Sequence, residues 1–426
     1  MYRFGCETME VSKFGKKIAM RSGIGQLMED LGEALTESQD ILMLGGGNPA
    51  HIPAVQEHFR RSMRIVLDNE REFERVIGDY DPPQGNKAFI EAIAMLLRKE
   101  AGWDIGPRNV ALTTGSQSAF FVLFNTFGGA FDGDARKKIL FPLAPEYIGY
   151  SDVGLAEDLF IAGKPKIEHI DEHIFKYHIN FDEIHVTDEI GAICVSRPTN
   201  PTANVLTDAE VEKLANLAQA HGIPLIIDNA YGTPFPDIVF TEVKPIWNEH
   251  IIVCMSLSKL GLPATRTGIV IANEEVIAMI SRVNAIMSLA PGSVGAAIAG
   301  DLVRSGEILR ISRDIIRPFY QTKATAAVGQ LLDEMHGIDF HIHKPEGAFF
   351  LWLWLPGLPI TDHGLYERLK KRGVLIVPGH YFFPGLKEHW QHKNECIRIN
   401  YAQDRQVVER GLQIIADEVK RVYDFG

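Results

Sequence analysis

One lysine set among small hydroxyl residues is the part of this 426-residue chain best suited to covalent chemistry. Ser256-Leu257-Ser258-Lys259 is followed by Gly261, Arg266 and Gly268. It is preceded by Ile251-Ile252-Val253-Cys254-Met255, an apolar run that reads as a buried strand. Burial lowers the pKa of an amine and makes it a usable nucleophile and base. Small neighbours leave room for a bound group, and two hydroxyls and an arginine supply what a phosphate needs. The segment therefore suits the amine, and much of the anchor, of pyridoxal phosphate. A strand end with a solvated lysine and a surface arginine is the plainer alternative.

Other polar residues fall where such a group would need them. Gly115-Ser116-Gln117 lies at a strand-to-helix turn, where backbone N–H groups and the helix dipole favour an anion. An N-cap serine has the same local pattern. Asp228 ends the apolar run Leu225-Ile226-Ile227, so it should be partly buried and need a cationic partner. Tyr231 stands three residues on, within reach of the same ligand. Asn200 sits after a strand beside Pro198 and Pro201, as a turn asparagine also would. Tyr147 follows Pro145-Glu146, and its ring could stack on a flat group. Arg398 lies in Cys396-Ile397-Arg398-Ile399-Asn400, on the opposite face from its isoleucines. Such an arginine either meets solvent or grips a carboxylate with its bidentate fork.

The elements that must position these residues alternate along the chain. Strands are expected at 41–44, 110–114, 138–141, 190–195, 224–227 and 251–255. Helices are expected at 51–68, 86–102, 116–127 and 208–221. Strands alternating with helices predict an α/β fold with a mostly parallel sheet covered on both faces. In such sheets ligands bind beyond the carboxyl ends of the strands, where these polar residues stand. Residues 13–35 read as one or two short helices broken near Gly23 and Gly25. After Pro291 the texture changes to a long helical stretch over 293–328, interrupted near Pro318. Strands at 349–355, 375–377 and 396–401 then mix with helices at 363–372 and 404–423, which predicts a smaller α+β domain. The expected division is an N-terminal segment (1–55) joining the small domain, a large domain (56–300) and a small C-terminal domain (301–426).

Composition narrows the class. The 43 Lys and Arg against 55 Asp and Glu give a net charge of −12, which disfavours nucleic acid and anionic membranes. Cys6, Cys194, Cys254 and Cys396 form no CxxC pair, as expected of reduced thiols in a cytoplasmic protein, with neither disulfide framework nor zinc site. The charged N-terminus is unlike a secretory signal, and no apolar run is long enough to span a membrane.

Taken in order, these residues resemble the fold-type I pyridoxal-phosphate enzymes, specifically the class I/II aminotransferases. The match runs from about Ile41 to the end. It comprises Gly47-Asn48-Pro49, Tyr80 with Gly85, Gly115-Ser116-Gln117, Tyr147, Asn200-Pro201, Asp228 with Tyr231, Ser256-x-Ser258-Lys259 with Arg266, and Arg398. The resemblance implies that Lys259 binds the cofactor covalently and moves a proton between substrate Cα and the cofactor. It implies that Asp228 faces the pyridine nitrogen, that Asn200 and Tyr231 bond the phenolic oxygen, and that Tyr147 stacks on the ring. Ser116, Gln117, Ser256, Ser258 and Arg266 would hold the phosphate, joined by Tyr80 from a second subunit of a homodimer. Arg398 would bind the substrate carboxylate, with Asn200 nearby, and Gly47 would let backbone approach.

The implied reaction is ping-pong amino transfer between L-valine and pyruvate, giving 3-methyl-2-oxobutanoate and L-alanine. Other small apolar amino acids, a C–S lyase or a cyclopropane-forming synthase on the same fold, and a non-enzymatic cofactor-binding regulator are the competing expectations. The regulator fits poorly, since about forty residues precede the first motif where a DNA-binding domain would stand. Two departures from the family pattern stand out. Gly347-Ala348 replaces a double glycine, and residues 151–180, rich in His and Lys, form an insertion for which a cap over the site is the hypothesis.

Overall fold

The computed structural model describes residues 10–18, 25 and 41–425. Of the helical expectation over 13–35, one helix covers Lys13–Ile18. The remainder, apart from residue 25, lies outside the described residues, as does Cys6.

Strand β1 (Leu42–Met43) precedes three helical segments, Pro53–Asp68, Glu70–Gly78 and Lys87–Ala101. Then come β2 (Val110–Thr114), β3 (Gly129–Ala130), β4 (Arg136–Phe141), β5 (Phe160–Ala162), β6 (Lys166–His169) and β7 (Ile174–His178). The middle of the chain supplies β8 (Ile190–Ser196), β9 (Leu225–Asp228), β10 (Ile251–Ser256) and β11 (Thr267–Ile271). The last part supplies β12 (His341–His343), β13 (Phe350–Trp354), β14 (Val374–Leu375), β15 (Val377–Pro378) and β16 (Cys396–Asn400).

An eight-stranded sheet runs β2-β11-β10-β9-β8-β4-β3, with β5 on β4. Strands β5, β4, β8, β9 and β10 are parallel, and β11 is antiparallel to both neighbours. The core shows why these strands read as unbroken apolar runs. Leu225 and Ile227 enter one buried cluster and Ile226 the other; Ile251, Val253 and Met255 alternate in the same way with Ile252 and Cys254. Alternate side chains thus bury on opposite faces of a sheet covered on both sides. Parallel strands end together, so Ser196, Asp228 and Ser256 stand at one edge, with Ser196 and Asp228 in register.

A second, six-stranded sheet runs β15-β16-β13-β12-β7-β6. Residues 166–178 therefore pair with C-terminal strands, a pairing that a continuous 56–300 unit does not anticipate. No residue of 151–180 lines the central cavity, which leaves the cap hypothesis without a contact to stand on. Strand β1 pairs in parallel with β14, joining the N-terminal segment to the C-terminal part.

The expected helix over 293–328 is several pieces. Val294–Arg304 ends at Ser305-Gly306, where Gly306 takes φ 75°; Glu307–Ile311 follows, then a π-turn and Arg317–Glu334. The expected interruption near Pro318 is the π-turn Ser312–Ile316 just before it; Pro318 itself lies in the first turn of Arg317–Glu334, where no intrahelical N–H is needed. Strand β11 and the helix Glu274–Met287, which Asn273 caps, were not among the expected elements.

Candidate active site

The carboxyl edge of the large sheet and the second sheet enclose a cavity of about 480 Å³. Of the residues singled out in the sequence, Gly47, Ser116, Gln117, Tyr147, Asn200, Asp228, Tyr231, Ser256, Ser258, Lys259, Arg266 and Arg398 all line it. Tyr80 does not. It is 81% exposed on the outer surface.

Lys259 follows β10, and its ammonium donates to the Gly47 carbonyl at 2.8 Å. Its Nζ lies 5.4 Å from the centre of the Tyr231 ring and 5.5 Å from that of Phe349. Burial, helped by the positive charges of Arg398 and Arg266, lowers its pKa to about 8; the Asp228 charge opposes this. The amine is thus far closer to neutrality near pH 8 than an exposed lysine.

Asp228 ends β9. The expected cationic hydrogen-bond partner is absent among the described residues. The carboxylate accepts instead from Tyr150 Oη at 2.6 Å and from the Ala230 N–H at 3.0 Å. Burial raises its pKa, while these two donors and the Lys259 charge pull it back. A nearby cationic ligand would complete its environment. The Tyr231 hydroxyl is buried with no hydrogen-bond partner. Such a group costs a hydrogen bond's worth of desolvation unless a ligand satisfies it.

The anion end is built from three elements. Gly115 takes φ 78° before the helix Ser116–Phe127, and a Cβ there would fall 2.3 Å from Arg266 Nη2. Only glycine lets the guanidinium reach the helix N-terminus, where free N–H groups and the dipole already favour an anion. The Ser256 hydroxyl lies 2.9 Å from that of Ser258 and accepts the Ser258 N–H. Gln117 has a protein partner for its amide, the Gly149 carbonyl at 2.9 Å, which holds the Tyr147 loop against this helix.

Arg398 is 3% exposed, so it does not lie on a solvated face. One guanidinium nitrogen donates to Asn200 Oδ1 at 2.7 Å and another to the Gly45 carbonyl. Its Cζ stands 4.3 Å from the Phe350 ring centre and 5.3 Å from that of Phe382. Burial lowers its pKa to about 10, and Tyr231 and Tyr147 oppose the shift, so it stays charged at neutral pH. Its Nε has no partner. A fixed, buried guanidinium with donor capacity to spare suits a carboxylate.

Three successive glycine carbonyls are tied down here: Gly45 by Arg398, Gly46 by Asn400 Nδ2 at 2.6 Å, and Gly47 by Lys259. A Cβ on Gly45 would fall 2.9 Å from the Ile376 carbonyl oxygen, so close backbone contact selects glycine there.

Several residues of the site escaped the sequence reading. Asn400 is two positions from Arg398 on one strand and shares its face, a signal that was present. Tyr150 and Glu146 bracket Tyr147 at short spacing, but only tertiary contact reveals that Tyr150 holds Asp228. Phe349 and Phe350, beside Tyr231 and Arg398, looked like ordinary core.

The comparisons with known proteins agree with this geometry. The family described as "Aminotransferase class I and II" matches residues 43–415. The chain is 50% identical over 415 residues to the valine–pyruvate aminotransferase of Escherichia coli K12, covering 97% of this chain and 99% of that protein. It superposes with TM-score 0.95 on a putative amino-acid aminotransferase from Psychrobacter arcticum, 47% identical, covering 98% of this chain and all of the other. The valine–pyruvate aminotransferase of Salmonella typhimurium gives 0.87 at 50% identity, covering 95% of this chain and all of that one. The chain belongs to the class I and II aminotransferases.

Proposed function

We propose that this aminotransferase moves the amino group of L-valine to pyruvate, giving 3-methyl-2-oxobutanoate and L-alanine. The observation that carries the reading is the cation inventory of the cavity. Among the described residues, Lys259, Arg266 and Arg398 are the only lysine or arginine residues that line it. With Lys259 and Arg266 assigned to the cofactor, one guanidinium remains for the α-carboxylate that both substrates share. Among the described residues no second cation is left for an acidic side chain, while Met43, Ile148 and Pro198 offer apolar surface. The identity to enzymes of that name supports the same pair.

The cofactor is pyridoxal 5′-phosphate, and the residues fit it. The orphaned Tyr231 hydroxyl lacks an acceptor or donor, Asp228 lacks a cation, and the Gly115–Arg266 approach makes a cradle for a phosphate. When bound, it supplies an aldehyde carbon that takes up the amino group and a ring that withdraws electrons from the substrate Cα. The chain's own groups do the rest. Lys259, desolvated and close to neutrality, holds the cofactor and carries the proton away from Cα and back. Asp228 keeps negative charge at the ring nitrogen. At about 4 Å and an effective dielectric near 20, such a pairing is worth about 4 kcal/mol before desolvation. Asn200 and Tyr231 bond the ring oxygen, and Tyr147 covers the ring. Ser116, Ser256, Ser258 and Arg266 take the phosphate; Gln117 contributes through the loop it braces. Arg398 orients the substrate by its carboxylate.

Tyr80 serves its phosphate role only across a dimer. Ile77, Ile286, Met287 and Leu289 are exposed together with it, and Asn284 Nδ2 donates to the Pro83 carbonyl at 2.8 Å, placing that loop beside the helix Glu274–Met287. Exposed apolar residues gathered in this way support burial against a second copy. The division at 56 and 301 is retained, with residues 166–178 assigned to the small domain because they extend its sheet. No helix among the described residues is long and apolar enough to cross a membrane, which is in keeping with a cytoplasmic enzyme.

A half-reaction survey tests the substrate pair. Amino acids are added singly and loss of the cofactor's visible absorbance is followed. Valine and alanine should react fastest. Leucine and isoleucine should trail by ~10-fold or more per misfitted methylene, and aspartate and glutamate should be slowest. An acidic amino acid matching valine would overturn the proposal.

A further inference from the structure

From Asp228, past Ser196 at the edge of the cavity, runs a row of polar groups that the reaction described above does not use. Glu146 is 2% exposed and Ser196 3%. The Glu146 carboxyl has no ion-pair partner among the described residues; every group bonded to it belongs to Ser196 or Tyr147. Oε1 accepts the Ser196 N–H at 2.9 Å, and Oε2 accepts the Tyr147 N–H at 3.3 Å. Ser196 Oγ lies 2.6 Å from Oε2 on one side and 3.5 Å from Tyr150 Oη on the other. Tyr150 is fully buried and donates to Asp228 Oδ2 at 2.6 Å. The four groups form a row from Glu146 to the carboxylate at the end of β9, the Ser196–Tyr150 link being the longest at 3.5 Å.

The direction of the protons along that row depends on Glu146. If Glu146 is ionised, both oxygens only accept. Ser196 must then point its proton at Glu146, and two negative charges share one dry region. An unpaired buried carboxylate costs several kcal/mol, so the row is better served by one charge than by two. If Glu146 keeps its proton, it donates to Ser196 Oγ. The Ser196 proton is then free for Tyr150, and the Tyr150 proton for Asp228.

We propose that Glu146 is a positioning residue that, as a neutral carboxylic acid, donates to Ser196 and so aligns a one-way chain of hydroxyl donors, through Tyr150, onto the Asp228 carboxylate. The proposal rests on the reading of Asp228 as the partner of the cofactor's ring nitrogen. The aligned chain concentrates the single negative charge on Asp228, where it favours a protonated ring. An ionised Glu146 would reverse Ser196 and push Asp228 toward protonation. Burial drives the Glu146 carboxyl up to about 8, Ser196 and Tyr147 pulling it down and the Asp228 charge adding to the rise. The titratable groups coupled to it are Asp228 on β9, Tyr150 on its own loop and Cys194 on β8, all neutral or negative. Behind it, the Phe382 carbonyl accepts the Glu146 N–H at 2.8 Å. Lys259 acts on Asp228 only from the cavity side.

Glu146→Gln and Glu146→Leu separate the acid form from a carboxylate brace. Glutamine keeps a donor toward Ser196 and cannot ionise. Turnover of Glu146→Gln should stay within about twofold of the parent, and Glu146→Leu should fall by about tenfold, the size of one lost buried hydrogen bond. Infrared spectra of the cofactor-free protein should show the carbonyl stretch of a protonated carboxyl at neutral pH, missing from Glu146→Gln. That spectrum needs neither activity nor cofactor. A Gln variant as impaired as the Leu variant, or a spectrum without that band, overturns the proposal. Asp228→Asn in the same assays tests the underlying reading by itself. If it keeps full turnover, the assignment of Asp228 fails even where the Glu146 band is present, and the aligned chain loses its purpose.

Discussion

The floor of the cavity and its opposite wall are built on different principles. The floor is the carboxyl edge of one sheet. Ser196, Asp228 and Ser256 end neighbouring strands, and the hydrogen bonds that fix them run among β8, β9, β10 and the adjoining 146–150 loop. The wall is a meeting of distant pieces. Arg398 from the second sheet bonds Gly45, 353 residues away, and Asn200 from the large sheet's loops. The floor holds groups at spacings set by strand pairing at about 4.8 Å. The wall holds groups that are placed only once two sheets and an N-terminal loop have come together. In the proposed function the floor holds the cofactor, and the wall grips the carboxylate that both substrates share.

The largest effect should come from breaking the floor. Lys259→Ala removes the amine that binds the cofactor and moves the proton, so turnover should fall by at least about 10⁴-fold and the visible band of the bound cofactor should vanish. Retained transamination would sink the assignment. Next is the wall. Arg398→Ala loses a charge-assisted contact worth roughly 1.5–3 kcal/mol, so kcat/KM should drop about 10- to 150-fold. The drop should be alike for amino and oxo acids, with cofactor affinity unchanged. A loss confined to one substrate would mean that Arg398 reads a side chain. Tyr231→Phe removes a fully buried floor hydroxyl that has no partner among the described residues. Cofactor affinity should weaken about two- to tenfold, measured by equilibrium dialysis, with no loss of stability in the cofactor-free protein.

The pH dependence sharpens the same contrast. The Lys259 pKa is depressed to about 8, so the neutral, reactive amine is scarce below that pH and dominant above it. Cofactor capture by the cofactor-free enzyme should therefore rise with pH, pass half its plateau near 8 and level off above it. An ordinary lysine would keep gaining up to about 10.4. Arg398 stays charged throughout this range and should leave no mark on the profile.

The smallest effect lies between the two regions. Ala348 occupies φ 53° in the turn where the family pattern has a second glycine. Left-handed backbone costs an alanine ~1–2 kcal/mol, but glycine gives part of that back through its freer unfolded chain. Ala348→Gly should raise stability by under about 1 kcal/mol in a denaturant titration. A clear destabilisation would show that the buried methyl packs better than the backbone suffers.

How much of this was legible in the sequence follows the same division. Local physics marks the floor: an apolar run that ends in Asp228, another that ends beside Lys259, and a glycine before Ser116 each announce a strand end. Helix boundaries were legible where caps stand, as at Thr207 and Glu210, which cap each other before the helix Asp208–Ala220. The interruption near Pro318 was legible too, and it falls in the π-turn just before that residue. Arg398 could be seen only as an arginine in a strand. Its burial depends on Phe350 and Phe382, and its partners lie at the far end of the chain. The insertion at 151–180 was equally opaque, since an edge hairpin can extend any sheet whose pattern it matches.

The sequence by itself determined the proposed chemistry: a lysine, an acid and a glycine-serine turn at the ends of readable elements, and an arginine within a readable strand. Residue type and local period settle these, because strand ends and helix starts are encoded within a few residues. Only the tertiary structure decided what tunes them. That Asp228 leans on Tyr150 rather than on a cation, that Glu146 lies buried behind it, and that three glycine carbonyls are pinned by Arg398, Asn400 and Lys259 are facts about packing. Desolvation and hydrogen-bond direction exist only once distant segments exclude water together, and no local pattern carries that information.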